Sequence, residues 1–103
     1  KCEKLKSVIL SNESLVSLIG DNSFSECYNL TLITLPKLLA SIKKYTFYQC
    51  KKLKEIVIPY FVESIDRDAF YSCYNLNFVK FKNLLMLKLF HIAHLSNHFH
   101  YLL

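Results

Sequence analysis

Apolar residues recur along the chain in a fixed register, separated by polar and charged positions. In four segments a cysteine is followed three residues later by leucine and then by two alternating apolar residues, and these cysteines stand at positions 2, 27, 50 and 73. The last two intervals between them are equal, and the first is longer by two positions. The extra residues of the first interval lie in a Ser/Asn/Glu-rich stretch between Leu10 and Val16, where insertions cost little. Slots repeated in this way indicate an array of stacked units.

Each unit is predicted to contain a short β-strand where apolar residues alternate, as in residues 56–58, because side chains on a strand point alternately to its two faces. Pro59 should end this strand, since proline donates no hydrogen bond to a ladder. A second extended segment is expected at residues 61–65. A helical turn is expected at residues 66–73, with Asp66 as its N-cap.

Stacking is predicted to bring equivalent residues of successive units into columns about 4.8 Å apart, the spacing of neighbouring strands. The apolar columns contain Leu30, Leu53 and Leu76 in one case and Phe24, Phe47 and Phe70 in the other. The cysteines form a further column, for which a disulfide and a metal site are alternatives. We expect small buried thiols instead, because stacked side chains point the same way and no C-x-x-C pair occurs.

The pattern L-x-x-I-x-I-P-x-x-V-x-x-I-x-x-x-A-F-x-x-C describes residues 53–73 nearly slot for slot, and residues 30–50 follow it closely. This pattern resembles that of the BspA-like leucine-rich repeats, and the resemblance covers about residues 2–81. The sequence departs from the family pattern in two places. The family usually has glycine after the last isoleucine of each repeat, and here only Gly20 meets this; the residues after Lys82 also fit the pattern poorly. The resemblance implies an α/β repeat solenoid, a leucine-rich-repeat right-handed superhelix of mostly short parallel β-strands with short helical turns. About four repeats are expected, each of about 23 residues, within the range of leucine-rich repeats.

Residues 1–82 are therefore expected to form a leucine-rich repeat array that is part of a longer array. Residues 83–103 are expected to form either a degenerate repeat or a capping tail, because Lys88 falls in an apolar slot of the continued period. An amphipathic helix in this tail would place three histidines on one face, and a metal site is the alternative to a partly exposed polar stripe; these are His91, His94 and His98. A membrane span is disfavoured there by Lys88 and the histidines.

Charge and motif content narrow the functional class. The formal net charge is +5, from 13 Lys and Arg against 8 Asp and Glu, with lysines scattered through the variable slots. We interpret them as a solvated face, with a nucleic-acid or anionic-surface patch as the alternative; no nucleic-acid motif occurs, so no nucleic-acid partner is predicted. No phosphate loop, H-E-x-x-H motif or spaced nucleophile and base occurs either. We therefore predict no enzyme activity, no catalytic residue, no cofactor and no metal.

The candidate binding site lies on the outward face of the predicted strands. Two positions of each strand flank the buried residue, and several are apolar where an unbound surface would be polar. Such a patch, rimmed by charge, indicates a protein contact; strand propensity alone is the alternative. The candidate residues are Ile9, Leu32, Thr34, Glu55, Val57, Phe78 and Lys80. A second candidate surface is the set of tyrosines at the turn corners, namely Tyr28, Tyr48, Tyr71 and Tyr74.

The resemblance also implies a function. BspA-like repeats occur in cell-surface and secreted proteins of host-associated bacteria and parasitic protists, and those that are understood act in adhesion. We therefore expect a fragment of a cell-surface adhesin-like protein whose partner is a protein, such as a host extracellular-matrix or cell-surface protein. An intracellular, cytoplasmic scaffold and a structural spacer are the alternatives. Two N-x-S/T sequons, at Asn12 and Asn29, add weak support for secretion.

Overall fold

The computed structural model describes residues 2–11, 14–66, 68–93 and 100–102, of which 90–93 and 100–102 are described by their main chain alone. The described ranges contain short strands and one helix. In chain order they are β1 (Ser7–Ile9), β2 (Leu32–Thr34), β3 (Ser41–Ile42), β4 (Glu55–Ile58), β5 (Ser64–Ile65), β6 (Phe78–Phe81), α1 (Leu84–Ala93) and β7 (His100–Leu102).

One strand of each repeat lies where the alternating apolar residues predict it, and every pairing is parallel. β1 pairs with β2, with Ser7 opposite Leu32, and β4 pairs with β6, with Glu55 opposite Phe78. The paired residues of β1 and β2 are as far apart along the chain as the cysteines at positions 2 and 27, and those of β4 and β6 are as far apart as the cysteines at positions 50 and 73. β2 and β4 are neighbours in space but belong to separate sheets, because no ladder joins them in the described structure.

The other side of each repeat also bonds to its neighbour through the main chain. β3 pairs with β5, with Ile42 opposite Ile65. In the turns that follow, the amide of Phe47 donates to the carbonyl of Ala69 at 2.8 Å. Successive repeats are therefore joined along the turns, and the pairs β1–β2 and β4–β6 are joined along the outward-facing strands as well.

The predicted helical turns are instead runs of turns closed by i→i+3 hydrogen bonds. The amide of Ala69 donates to the carbonyl of Asp66 at 2.9 Å, and the Asp66 carboxylate accepts from the amide of Asp68 at 2.9 Å, as expected of a capping residue. Gln49 and Ser72, one repeat apart, have φ of 56° and 63°. A left-handed residue interrupts a right-handed helix, which is why the turns do not propagate as helices.

The apolar columns form as predicted. Leu30 and Leu53 are fully buried, and Leu76 is nearly so. The ring of Phe47 lies parallel to those of Phe24 and Phe70, with centroid distances of 5.7 and 5.4 Å and interplanar angles of 8° and 3°. Equivalent side chains of successive repeats therefore cover one another, and no single repeat buries its own inner face.

The cysteine column consists of thiols. Cys27, Cys50 and Cys73 are buried, and Cys2 is half-buried at the end of the stack. The Sγ of Cys73 donates to the carbonyl of Phe47 at 2.8 Å, and that of Cys50 donates to the corresponding carbonyl one repeat earlier at 3.1 Å. The pKa of the Cys27 thiol is raised from 9.0 to about 12, chiefly by burial and secondly by a hydrogen bond with the neighbouring Cys2. The thiols of Cys50 and Cys73 thus each satisfy a main-chain carbonyl of the preceding repeat.

Two asparagines link the corners of successive repeats. The Nδ2 of Asn29 donates to the carbonyl of Glu3, and that of Asn75 donates to the carbonyl of Lys51, both at 2.6 Å. In each case the asparagine follows a Cys-Tyr pair, so the Cys-Tyr-Asn-Leu sequence encodes an inter-repeat bond. The amide of the Asn29 sequon is therefore engaged in the fold, whereas Asn12 lies outside the described residues.

The tail contains a helix and a strand. Asn83 caps α1, because its Oδ1 accepts from the amide of Leu85 at 3.0 Å, while its Nδ2 donates to the carbonyl of Tyr60 at 3.2 Å. Met86 and Leu87 of α1 pack against the core. β7 then pairs in parallel with β6, with residue 78 opposite residue 100. The predicted metal alternative at His94 and His98 lies outside the described residues, as does the side chain of His91.

Candidate functional site

All seven candidate residues lie on the exposed face of the strands. The strands alternate strictly, since Ile33, Ile56 and Val79 are buried while their neighbours on either side are exposed. The apolar candidates keep between 40% and 70% of their surface exposed. They are Ile9 on β1, Leu32 on β2, Val57 on β4 and Phe78 on β6, accompanied by Thr34, Glu55 and Lys80.

A groove of about 550 Å³ runs across β2, β4 and β6 and gathers most of these residues. Six of the seven candidates line it, and Ile9 does not, because β1 lies beyond the groove at the first repeat. The volume is within the range of about 300–1,000 Å³ that is typical of ligand pockets. The structure thus brings the candidate residues of three successive repeats to one concave feature.

Residues that follow the strands form the rest of the wall, and sequence reasoning missed them. Pro59 ends β4 as predicted and turns the chain, so that Tyr60 and Phe61 line the groove. Their rings contact edge to face at 5.4 Å, and both remain more than half exposed. Lys37 and Lys82 also line the groove. The signal available in the sequence is their place directly after a proline or a strand end.

The register sets which side chains are neighbours on this face. Val57 lies opposite Lys80, and Glu55 lies opposite Phe78. Apolar and charged side chains therefore alternate across the two strands, and the apolar residues Val57 and Phe78 are diagonal neighbours, which aromatic side chains can still bridge. The surface offers apolar contact and hydrogen bonding in a mixed pattern.

The charge of the groove is predominantly positive. Lys37, Lys80 and Lys82 line it, against Glu55 as the only carboxylate among the described lining residues. All four side chains are exposed, and none forms an ion pair with another described residue. The three ammonium groups are therefore available to a ligand.

The tyrosines of the second candidate surface are engaged with one another and with nearby polar groups. The rings of Tyr48 and Tyr71 stack at 5.9 Å. The hydroxyl of Tyr28 donates to the Glu26 carboxylate at 2.7 Å, which raises the pKa of Tyr28, and Lys51 lies over its ring at 5.2 Å. This surface is therefore structured by its own contacts, although Tyr74 stays largely exposed.

Two further features bear on chemistry and location. Within the described ranges, no three histidine, cysteine or acidic side chains come together as a metal site would need. None of the helical segments described there has the length and apolar character that spanning a bilayer requires; α1 has ten residues.

Comparison with known proteins agrees with the repeat pattern. The chain matches the family model described as "BspA type Leucine rich repeat region (6 copies)" over residues 1–91. No curated protein and no solved structure matches it. Repeats of this family serve as protein-interaction modules, are typically non-enzymatic, and are often surface-associated. With this match over most of its length, the chain belongs to the BspA-type leucine-rich repeat family.

Proposed function

We propose that the chain is the protein-binding part of a cell-surface, adhesin-like leucine-rich-repeat protein, and that it binds host or cell-surface proteins through the groove. The observation that carries the proposal is the gathering of exposed apolar and charged residues of three repeats into one groove, lined by Leu32, Val57, Phe78 and their neighbours. Exposed apolar patches rimmed by charge mark interaction sites in soluble domains.

The alternation of the strands leaves apolar side chains on the outer face that folding does not need. Ile33, Ile56 and Val79 already bury the inner face, so folding does not require apolar residues on the outer face. Leu32, at 47% exposed, and Phe78, at 42%, therefore leave apolar area in water that a partner can cover. At about 25 cal/mol per Å² of apolar area removed from water, such contacts favour association.

The proposal includes the arrangement of the whole chain. The repeats form one right-handed solenoid, with residues 1–82 as a segment of a longer array. Residues 83–103 serve as a degenerate repeat or as a capping tail at the end of the stack. Two contacts support this role: Met86 and Leu87 cover the core, and β7 extends the ladder of β6.

Location is the first point to test. Intact source cells are treated with protease, and the released peptides are searched by mass spectrometry for peptides of this chain. Release from intact cells is the expected result and agrees with a cell-surface protein. Appearance only after lysis would favour the intracellular scaffold, and the partners would then be cytoplasmic.

Binding is tested with beads coated with the chain, counted on extracellular-matrix extract and on albumin. The variant L32T/V57T/F78T removes the apolar groove surface, while threonine retains strand propensity. We expect it to lose adhesion to the matrix extract, with unchanged circular dichroism and melting temperature.

The matched control changes three exposed apolar residues outside both candidate surfaces, namely Leu15, Leu18 and Leu85, to threonine. This control is expected to bind as the unmodified chain does. Equal adhesion of both variants, or none by the unmodified chain, would favour the structural spacer.

A further inference from the structure

The charges of the groove are separated along the strand direction. Glu55 is the first residue of β4, whereas Lys80 is the third residue of the four-residue β6 and Lys82 follows that strand directly. Lys37 follows β2 by three residues. Because the strands are parallel, their carboxyl ends lie at the same edge. The three lysines therefore lie towards one end of the groove and the carboxylate lies towards the other.

Aromatic surface lies at the same end as the lysines. Tyr60 and Phe61 follow β4 after Pro59, are 56% and 57% exposed, and line the groove together with Lys37 and Lys82. Ammonium groups next to exposed rings offer a carboxylate an ionic contact and its neighbouring side chain an apolar one. This combination selects a ligand that carries both kinds of group close together.

We infer that the groove takes a short segment of a partner protein in which Asp or Glu residues stand next to apolar side chains, with the acidic residues towards the carboxyl ends of the strands. This inference rests on the proposed binding function and specifies the chemistry of the partner. A sulfated polysaccharide would satisfy Lys37, Lys80 and Lys82 but would have no apolar groups to cover Leu32 and Val57. A segment of protein supplies both.

The test uses a phage-displayed library of random dodecapeptides selected on the immobilised full chain. We expect the selected peptides to be enriched in Asp and Glu beside Leu, Ile, Phe or Tyr. The highest-ranked peptide is then synthesised with a fluorophore, and its dissociation constant is measured by anisotropy. The variant K37Q/K80Q/K82Q should weaken binding at least tenfold and flatten the salt dependence, since interactions of exposed charges are screened by salt.

The matched control is K4Q/K52Q/K88Q, which removes three exposed lysines outside the groove. Both variants lower the formal net charge from +5 to +2, because three positive charges are removed in each. The control should change the dissociation constant less than twofold. Equal weakening by the two variants would show that only the overall charge acts, and it would overturn the inference.

The remaining outcomes separate this inference from the proposed function. Peptides without acidic enrichment that still lose binding to L32T/V57T/F78T would overturn the acidic partner and leave the groove as a protein-binding site. Peptides insensitive to both groove variants would overturn both. Failure to select any peptide would overturn the inference, as would heparin binding that is as tight as the peptide's and unchanged in L32T/V57T/F78T.

Discussion

The phenylalanine column allows a quantitative test of the stacked core. Phe47 has no exposed surface, and both faces of its ring are covered, by Phe24 at 5.7 Å and by Phe70 at 5.4 Å. Truncation of a core phenylalanine to alanine costs about 3–5 kcal/mol, including the cavity that remains. Loss of two aromatic pairs, each worth about 0.5–1.5 kcal/mol, places Phe47→Ala in the upper part of that range.

The expected loss is large relative to the stability of a small domain, which is about 5–15 kcal/mol. Urea denaturation followed by circular dichroism should show a free energy of unfolding about 4–5 kcal/mol lower in Phe47→Ala. The melting temperature should fall by more than about 15 °C, since each kcal/mol is worth about 4–8 °C in a domain of this size.

Two further variants make the test specific to stacking. Phe24 is half-buried and, among the described rings, stacks on that of Phe47 alone, so Phe24→Ala should cost less than half as much as Phe47→Ala. Phe47→Leu keeps most of the apolar volume, should cost about 1–2 kcal/mol, and gives a measurable transition if Phe47→Ala does not fold. Equal losses for Phe24→Ala and Phe47→Ala, or a loss below about 2 kcal/mol at Phe47, would refute the column as the centre of the core.

Three other predictions concern the links between repeats. Asn75→Ala and Asn75→Asp should each lower the free energy of unfolding by about 1 kcal/mol in urea titrations, because neither side chain can donate to the carbonyl of Lys51; an Asp variant as stable as the unmodified chain would contradict this. Asn83→Asp keeps the oxygen that caps α1 but loses the bond to the carbonyl of Tyr60, whereas Asn83→Ala loses both that bond and the cap, which is worth about 0.5–2 kcal/mol. Amide hydrogen exchange in α1 should therefore be faster in Asn83→Ala than in Asn83→Asp. The pKa of Cys27 is about 12 in the folded chain against an ordinary 9.0; the folded state therefore binds more protons between these values, and stability should fall as pH rises from 9.0 to about 12, with a shallower fall in Cys27→Ala.

The positions of the strands and of the core columns follow from the sequence because an apolar slot reports side-chain burial directly. Ile33, Ile56 and Val79 are buried where the pattern places them, and the phenylalanine rings stack in register. The side chains that lie outward on each strand follow from the same alternation, since residues on either side of a buried position must face the other way.

Hydrogen-bond geometry accounts for the features that the pattern does not predict. The interruption between β2 and β4 leaves the apolar slots unchanged, because burial does not require a continuous ladder. The left-handed conformation at Gln49 and Ser72 occurs without glycine, so no residue type signals it. These residues end each turn before a helix forms.

The strand residues of the candidate groove are predictable from the sequence, whereas its end wall is not. The outward positions of Leu32, Val57 and Phe78 follow from alternation. Lys37 and Tyr60 instead reach the groove through turns, and each directly follows a buried proline. Turn direction depends on backbone angles that hydrophobic periodicity does not encode. In the tail, β7 pairs residue 100 with residue 78, an offset that is one position short of the repeat period and that the apolar positions do not predict.

The groove takes its walls from three successive repeats, and the main-chain bonds between repeats in the described residues join neighbouring repeats. Duplication or loss of one whole repeat in the gene would therefore keep the apolar columns continuous while it replaces one wall of the groove. Unequal recombination between such repeats would change the residues that line the groove and leave the apolar columns in place. The recurring apolar positions hold the stack together, while the residues on the outer face differ from one repeat to the next.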